Sequence, residues 1–218
     1  MKKEVIKAIV FDIGGVLQIP HYYVHKNNKE FSSIHEMIAR ALHLHPDNWL
    51  DAIDLLYAKA TIGEVSRNKF VQEVSKKLNI SQNTLVHAVK KSYHKHMKKN
   101  KELYIIVQSL QKKGYIVGIL SDQWPLSRES IFPKKDQKLF DFAIISYEVK
   151  TRKPQPKIYQ LLLKKIREKD KSISTSEIIF VDDKNYNLVP AKKMGIHTIQ
   201  FHNNKQVIKE LKKLNVAI

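Results

Sequence analysis

The sequence contains no cysteine, and this absence excludes several classes of functional site. Disulfide scaffolds, thiolate nucleophiles, zinc ribbons and iron–sulfur clusters all require that residue. Long apolar runs are also missing, since none approaches the roughly 20 residues that a membrane-spanning helix needs. The first residues, Met-Lys-Lys-Glu-Val-Ile-Lys, carry charges where a signal peptide would be apolar. We therefore expect a cytoplasmic protein without a membrane partner.

Acidic residues are scarce, because 21 Asp and Glu stand against 39 Lys and Arg. The resulting net charge of +18 would suit an anionic substrate, a nucleic acid or an anionic membrane surface. The lysines are nevertheless scattered through nearly every segment, often as pairs such as Lys98-Lys99 and Lys164-Lys165. No recognisable nucleic-acid motif accompanies them. A solvated, lysine-rich surface is the favoured interpretation, nucleic acid stays an open partner, and the oligomeric state is not predicted.

Two apolar, β-branched runs end abruptly on carboxylates and dominate the interpretation of the chain. The first runs from Val5 to Asp12, and the second ends on Asp182 and Asp183. Continuous apolar runs of this kind are typical of strands buried on both faces of a parallel sheet, whose carboxyl ends open into the ligand crevice. If the two strands are neighbours, three carboxylates surround one hard cation.

Strand-like and helix-like segments alternate from about residue 100 onward. Strand patterns cover 115–121, 142–146, 178–181 and 196–201, and helical periodicity covers 103–110, 156–167, 187–194 and 207–214. Strands separated by single helices imply right-handed parallel crossovers. We therefore predict an α/β fold, a Rossmann-like open parallel sheet with helices on both faces.

About 80 residues separate the first predicted strand from this alternating region. They contain no convincing strand, but helical patterns cover 34–42, 49–60, 70–78 and 85–96, with Ser66 and Ser81 as plausible N-caps. We predict a small all-helical cap domain at 18–99, inserted after the first strand. The α/β core domain then comprises 1–17 and 100–218.

Polar residues at the other predicted strand ends complete a set suited to phosphate chemistry. Ser121 and Asp122 end the second strand, and Lys153 lies in a loop with two nearby prolines. A carboxylate pair with backbone oxygens suits Mg²⁺, which prefers one or two protein carboxylates together with substrate phosphate. A hydroxyl and an ammonium group suit the remaining phosphoryl oxygens. The set indicates phosphoryl transfer.

Four motifs occur in order along the chain. They are Phe-Asp12-Ile-Gly-Gly-Val, Ile-Leu-Ser121-Asp, Arg152-Lys153-Pro-Gln-Pro-Lys-Ile-Tyr and Phe-Val-Asp182-Asp183-Lys-Asn-Tyr-Asn187. With the insertion between the first two, the chain resembles the haloacid dehalogenase superfamily in its helical-cap class. It looks most similar to the branch of sugar-1-phosphate phosphatases and the phosphatase domain of soluble epoxide hydrolases. The resemblance implies a Mg²⁺-dependent phosphatase acting on a small phosphorylated metabolite, with a sugar phosphate favoured.

The resemblance also implies a role for each catalytic side chain. Asp12 would be the nucleophile that forms an aspartyl-phosphate, dividing one difficult displacement into two. Ser121 would hold a phosphoryl oxygen. Lys153 would neutralise charge on the phosphoryl group and orient Asp12.

Metal and substrate roles follow from the same resemblance. The metal site would comprise Asp12, the backbone carbonyl of Gly14, and Asp182 as a direct ligand. Asp183 would act from the second shell or through a water molecule. The remaining substrate-binding positions would be Asp122 and Asn187. His21 is a weaker candidate on other grounds, because it follows the first strand closely enough to fold over the site.

The chain departs from the family pattern at Gly14. Phosphatases of this superfamily usually carry an aspartate there, which protonates the leaving oxygen and later activates water. General acid–base help typically contributes about 10²- to 10⁴-fold of rate. A good leaving group, a proton from another residue such as His21, or poor turnover would each explain the glycine. We favour the first, because an anomeric oxygen leaves more easily than an ordinary alkoxide and some similar sugar-1-phosphate phosphatases have glycine here.

Two alternative functions remain at this stage. A phospho-ligand-binding or regulatory protein would keep the fold and have weak turnover because of Gly14. A dehalogenase is disfavoured, since that chemistry needs no Mg²⁺ and would have little use for Asp182 and Asp183.

Overall fold

The computed structural model describes residues 5–21 and 33–218. The strands within these ranges are β1 (Ala8–Phe11), β2 (Gln18–Pro20), β3 (Met97–Lys99), β4 (Ile116–Ser121), β5 (Phe142–Ile145), β6 (Ile178–Asp182) and β7 (His197–Gln200). The helices are α1 (Ile34–Ala41), α2 (Pro46–Thr61), α3 (Arg67–Leu78), α4 (Gln82–His96), α5 (Lys101–Lys112), α6 (Pro125–Ile131), α7 (Lys134–Gln137), α8 (Ser146–Val149), α9 (Pro156–Lys169), α10 (Asn185–Lys193) and α11 (Asn204–Lys213). Residues 1–4 and 22–32 of the predicted domain ranges lie outside the described residues.

A five-stranded parallel sheet, in the order β5-β4-β1-β6-β7, forms the centre of the fold. All four residues of β1 are buried, as expected for a middle strand covered on both faces. Phe11 pairs with Ile119 on one side and with Val181 on the other. This register brings the carboxyl ends of β1, β4 and β6 to one edge, and the predicted fold class is confirmed.

Side chains of β1 alternate between two cores, as the period of a strand requires. Ile9 and Phe11 belong to the larger core, which includes side chains of α5 and α11. Ala8 and Val10 belong to the smaller core, which is built mainly from α9, α10 and β6. Helices therefore cover both faces of the sheet and leave its carboxyl edge for chemistry.

The insertion between β1 and β4 contributes α1 to α4. Ser66 and Ser81 cap two of these helices as predicted, because their hydroxyls accept hydrogen bonds from the amides of Lys69 (3.3 Å) and Thr84 (3.0 Å). None of the helices in the described residues is long and apolar enough to span a membrane.

One expectation about the insertion was wrong, because it contains strands. β2 and β3 pair antiparallel, with Gln18 opposite Lys99. Each strand has three residues, too few for a period-2 pattern to be recognised, and the pairing joins segments about 80 residues apart. The two strands form a ribbon where the chain leaves the α/β core and where it returns.

Trp124 anchors the inserted helices to the core. Its indole is buried and its ring lies 5.0 Å from that of Phe70 and 5.6 Å from that of Tyr57. The indole Nε1 donates to the hydroxyl of Tyr93 at 3.0 Å. A second tie runs from the Ser146 hydroxyl to a carbonyl at the end of α2. The insertion is thereby packed against the turn that follows β4.

Candidate active site

Three carboxylates meet at the carboxyl edge of the sheet. Asp12 directly follows β1, while Asp182 ends β6 and Asp183 follows it. One oxygen from each lies within 4.8 Å of the others. Because β1 and β6 are paired neighbours, the register itself produces this cluster. Such a set of hard oxygen donors could hold a divalent cation.

Lys153 supplies the positive charge of the cluster. Its Nζ lies 2.5 Å from Oδ2 of Asp182 and 3.2 Å from Oδ1 of Asp12. It also donates to the carbonyl of Leu120 at 3.2 Å. Burial disfavours the ammonium form, but Asp12, Asp182 and Asp122 outweigh that effect and raise the pKa of Lys153. The ammonium group therefore stays charged beneath the carboxylates.

Asp12 is 7% exposed, and burial raises its pKa to about 7. The charge of Lys153 and a hydrogen bond from Ser121 oppose that rise, whereas the charge of Asp182 adds to it. The carboxylate also accepts a hydrogen bond from the amide of Ile13 at 2.7 Å. A further positive charge near Asp12 would complete its ionisation at neutral pH.

The two adjacent aspartates have different surroundings. Asp182 is fully buried, and its Oδ1 accepts hydrogen bonds from the Lys184 amide (2.8 Å) and from Nδ2 of Asn187 (3.0 Å). Its Oδ2 accepts from Lys153 and, at 3.1 Å, from the same Asn187 amide. Asp183 is 22% exposed at the side chain and forms an ion pair of 3.1 Å with Lys184. Burial raises the pKa of Asp183.

The two glycines after Asp12 have opposite environments. Gly15 has a φ of +80°, and a Cβ there would lie 2.6 Å from Cγ of Asp183 and 2.7 Å from its Oδ2. The backbone thus approaches this carboxylate more closely than any other residue type allows. At Gly14, no heavy atom of residues 5–21 or 33–218 lies within 4 Å of such a Cβ. The close approach at Gly15 and the three carboxylates fit a small, hard cation.

A sequence model of the haloacid dehalogenase-like hydrolases matches residues 23–201. The chain belongs to this family. The matched range begins after Asp12. The placement of Asp12 beside Asp182 and Asp183 is therefore shown by the structure and not by the family match. The expected resemblance to this family is confirmed, and phosphatases are among the relatives of the chain.

Two curated relatives and one solved structure are similar to this chain. Bifunctional epoxide hydrolase 2 of Mus musculus is 35% identical over 111 residues, 49% of this chain and 19% of its own. Glyceraldehyde 3-phosphate phosphatase of Pyrococcus furiosus is 32% identical over 98 residues, 44% of this chain and 39% of its own. The chain therefore spans well under half of either relative.

The solved structure is a haloacid dehalogenase family enzyme of Bacteroides thetaiotaomicron, in complex with magnesium and inorganic phosphate. Its TM-score is 0.71 at 20% identity, and the alignment covers 93% of this chain and 98% of that one. At this identity the likeness concerns the fold.

The other predicted site residues differ in burial and in their hydrogen-bond partners. Ser121 is fully buried at the end of β4 beside Asp12, and its side chain opposes the rise in the pKa of Asp12. Asp122 accepts from the backbone amide of Lys153 at 3.0 Å, and burial raises its pKa. Nδ2 of Asn187 donates to both carboxylate oxygens of Asp182, while its buried Oδ1 has no partner among the described residues.

His21 is exposed directly after β2. Its role as a proton donor stays a prediction.

Two residues of the site were missed by sequence reasoning. Gly15 could have been found from the Gly-Gly pair after Asp12, whereas nothing in the sequence singles out Gln123, whose side chain contacts Ser121 at 3.1 Å.

Proposed function

We propose that the protein is a Mg²⁺-dependent phosphatase that hydrolyses a small phosphorylated metabolite through an aspartyl-phosphate on Asp12. The carrying observation is the clustering of three carboxylates within 4.8 Å above a buried lysine. The phosphatase among the relatives supports the reaction class. The structural neighbour crystallised with magnesium and inorganic phosphate supports the cofactor.

The hydrogen bonds favour an exchange of roles between the two adjacent aspartates. Both oxygens of Asp182 are engaged by Lys153, Asn187 and a backbone amide, so this carboxylate is suited to hold the lysine. Asp183 is more exposed, and the backbone at Gly15 approaches its carboxylate. We assign the cation to Asp12, Asp183 and the carbonyl of Gly14. When bound, the cation would lower the pKa of Asp12 and offset the charge of the phosphate.

The reaction would proceed in two displacements. A carboxylate oxygen of Asp12 attacks phosphorus, the phosphoester bond breaks, and the leaving oxygen takes the bond's electron pair. Water then attacks the phosphorus of the aspartyl-phosphate, which releases inorganic phosphate and restores Asp12. Lys153 neutralises the phosphoryl charge, and the Ser121 hydroxyl donates to a phosphoryl oxygen.

Gly14 bears on the substrate class. Among the described residues no acid lies within 4 Å of a Cβ position at Gly14, so protonation of the leaving oxygen would have to be unnecessary or come from elsewhere. An anomeric leaving group needs less help, and we therefore propose a sugar 1-phosphate. The helices of 18–99 would act as a cap that excludes water and selects the leaving group, over a core of 1–17 and 100–218.

Hydrolysis of p-nitrophenyl phosphate tests the reaction. We expect activity with Mg²⁺ that is abolished by EDTA and by Asp12→Asn. A panel that pairs hexose 1-phosphates with the matching 6-phosphates tests the substrate class, and preference for the 6-phosphates would contradict it. Tight phosphate binding without turnover would instead support a phospho-ligand-binding protein, which is the alternative that Gly14 allows.

A further inference from the structure

Gln123 is a buried polar side chain that the proposed reaction does not use. It follows β4 by two residues, and only 5% of it is exposed. Its Nε2 donates to the hydroxyl of Ser121 at 3.1 Å. Ser121 is the residue proposed to hold a phosphoryl oxygen, so Gln123 contacts the hydroxyl that would bind the phosphate.

Neighbouring groups fix the orientation of the Gln123 amide. The hydroxyl of Ser127 has one hydrogen and two acceptors in reach, Oε1 of Gln123 at 2.6 Å and the Trp124 carbonyl at 2.9 Å. Donation over the shorter distance to Oε1 leaves the NH₂ end facing Ser121. The backbone of Gln123 is held as well, since its amide donates to the Ser146 hydroxyl at 3.0 Å. Ser146 in turn donates to the carbonyl of Thr61 at 2.7 Å, at the end of α2. The inserted helices and the core thus hold the turn together.

The direction of these hydrogen bonds determines where the Ser121 proton points. A serine hydroxyl has one hydrogen to donate and two lone pairs to accept with. Because Gln123 donates to one lone pair, the Ser121 hydrogen must point elsewhere. The neighbouring carboxylate of Asp12, whose pKa the Ser121 side chain lowers, is an acceptor to which that hydrogen can turn. A phosphoryl group bonded to Asp12 would meet that same hydrogen.

We propose that Gln123 is a positioning residue that aims the Ser121 hydroxyl at the transferring phosphoryl group, with Ser127 fixing the amide. This inference rests on the proposed function, because it requires a phosphoryl oxygen beside Ser121. The chain of donors runs from Ser127 through Gln123 to Ser121 and every member is buried. Such a chain pre-orients a donor before substrate arrives.

Substitutions in the turn and in α6 test the inference. Gln123→Met keeps the length of the side chain and removes the donor, and we expect kcat to fall about 10-fold, as for the loss of one hydrogen bond in the transition state. Ser127→Ala should lower kcat by about 3-fold because the amide loses its fixed orientation. Ser130→Ala is the matched control, since this buried serine of the same helix donates only to the Leu126 carbonyl.

Two readouts separate positioning from general stability. The inhibition constant of inorganic phosphate should rise with Gln123→Met and Ser127→Ala and stay unchanged with Ser130→Ala, even where all three variants melt at the same temperature. Equal phosphate affinity in Gln123→Met and the wild-type protein would overturn the inference.

Gln123→Glu gives a third readout. When protonated, the new carboxyl group can donate to Ser121 and accept from Ser127 as the amide does, whereas the ionised form can only accept. The kcat ratio of the variant to the wild-type protein should therefore fall as pH rises, and a ratio independent of pH would contradict the inference. Complete inactivity of the wild-type protein on all phosphoesters would contradict the proposed function instead, and phosphate binding would still test Gln123.

Discussion

Lys153 and Asp182 form a buried ion pair with a separation of 2.5 Å, and their side chains are 1% and 0% exposed. Two charges so far from water are stable only when their geometry and further hydrogen bonds compensate for the lost hydration. Asn187 and the Lys184 amide supply those bonds to Asp182, and the Leu120 carbonyl supplies one to Lys153. The lysine of this pair also contacts Asp12, the proposed nucleophile, at 3.2 Å and so helps to position it.

Removal of the lysine alone should be costly. We expect Lys153→Met to lower the free energy of unfolding by about 3–5 kcal/mol, because two carboxylates lose their buried partner. Adding Asp182→Asn should recover part of that loss, although neither variant should be active. Urea unfolding at pH 7 measures both. Lys165→Met is the control, since its ion pair with Glu168 is exposed and should contribute at most about 1 kcal/mol. Additive losses in the double variant would contradict the ion-pair argument.

Substitution of either adjacent aspartate should have a different consequence. Asp183→Asn is expected to raise the Mg²⁺ concentration for half-maximal activity by at least about 10-fold, with little change in stability. Asp182→Asn should instead lower the free energy of unfolding by about 3 kcal/mol, because Lys153 loses its closest partner. Magnesium titrations of activity and urea unfolding of both variants make the comparison. The reverse result would restore Asp182 as the direct ligand.

The neighbouring glycines provide a matched pair of alanine variants. Gly15→Ala should lower the unfolding free energy by at least about 1 kcal/mol, since the new methyl group collides with Asp183 and φ is +80°. It should also raise the Mg²⁺ concentration needed for half-maximal activity. Gly14→Ala should change the unfolding free energy by less than about 0.5 kcal/mol, because its Cβ meets no atom within 4 Å in the part of the chain that the structure describes. Similar losses in both variants would show that the collision with Asp183 is unimportant.

The open space at Gly14 permits a gain-of-function test. Gly14→Asp should fold and should raise kcat on alkyl phosphates by about 10²-fold, because a carboxyl group can then protonate a poor leaving oxygen. Hydrolysis of p-nitrophenyl phosphate, whose leaving group needs no proton, should change much less. Gly14→Asn has nearly the same size without the acid and serves as the control. Equal changes for the two substrates would argue against a missing acid.

The half-buried side chain of His35 predicts a pH dependence of stability. Its Nδ1 accepts a hydrogen bond from the Trp49 indole at 3.1 Å, and burial lowers its pKa from 6.5 to about 4. Between these values the unfolded chain binds a proton that the folded chain does not, so this contribution is complete above pH 6.5 and is lost as pH falls toward 4. The slope should reach about 1.4 kcal/mol per pH unit.

Urea unfolding between pH 4 and pH 7.5 measures that slope. His35→Asn keeps a hydrogen-bond acceptor for Trp49 without titrating, so the difference between wild-type and variant stability should grow as pH rises from 4 to 6.5. Parallel pH profiles would indicate that His35 is not neutral in the folded protein.

Most of the α/β core could be predicted from sequence because its elements have strong local periodicity. The strands ending at Asp12, Ser121 and Asp182 and the long helices occur within a few residues of their expected bounds. The short ribbon of β2 and β3 and the short helices α6, α7 and α8 were not predicted. These short elements lack the continuous apolar run of the core strands and the helical periodicity of the long helices, so non-local contacts decide whether they form.

The sequence alone determined which residue types stand at the strand ends, and the parallel order of strands made it inevitable that Asp12, Ser121 and Asp182 share one edge. Only the tertiary structure decided how the two adjacent aspartates differ, that Gly15 is required beside Asp183, and that Gln123 contacts Ser121. The physical reason is that hydrogen-bond direction and steric contact depend on atoms brought together from distant segments. Periodicity along one segment carries no record of those partners.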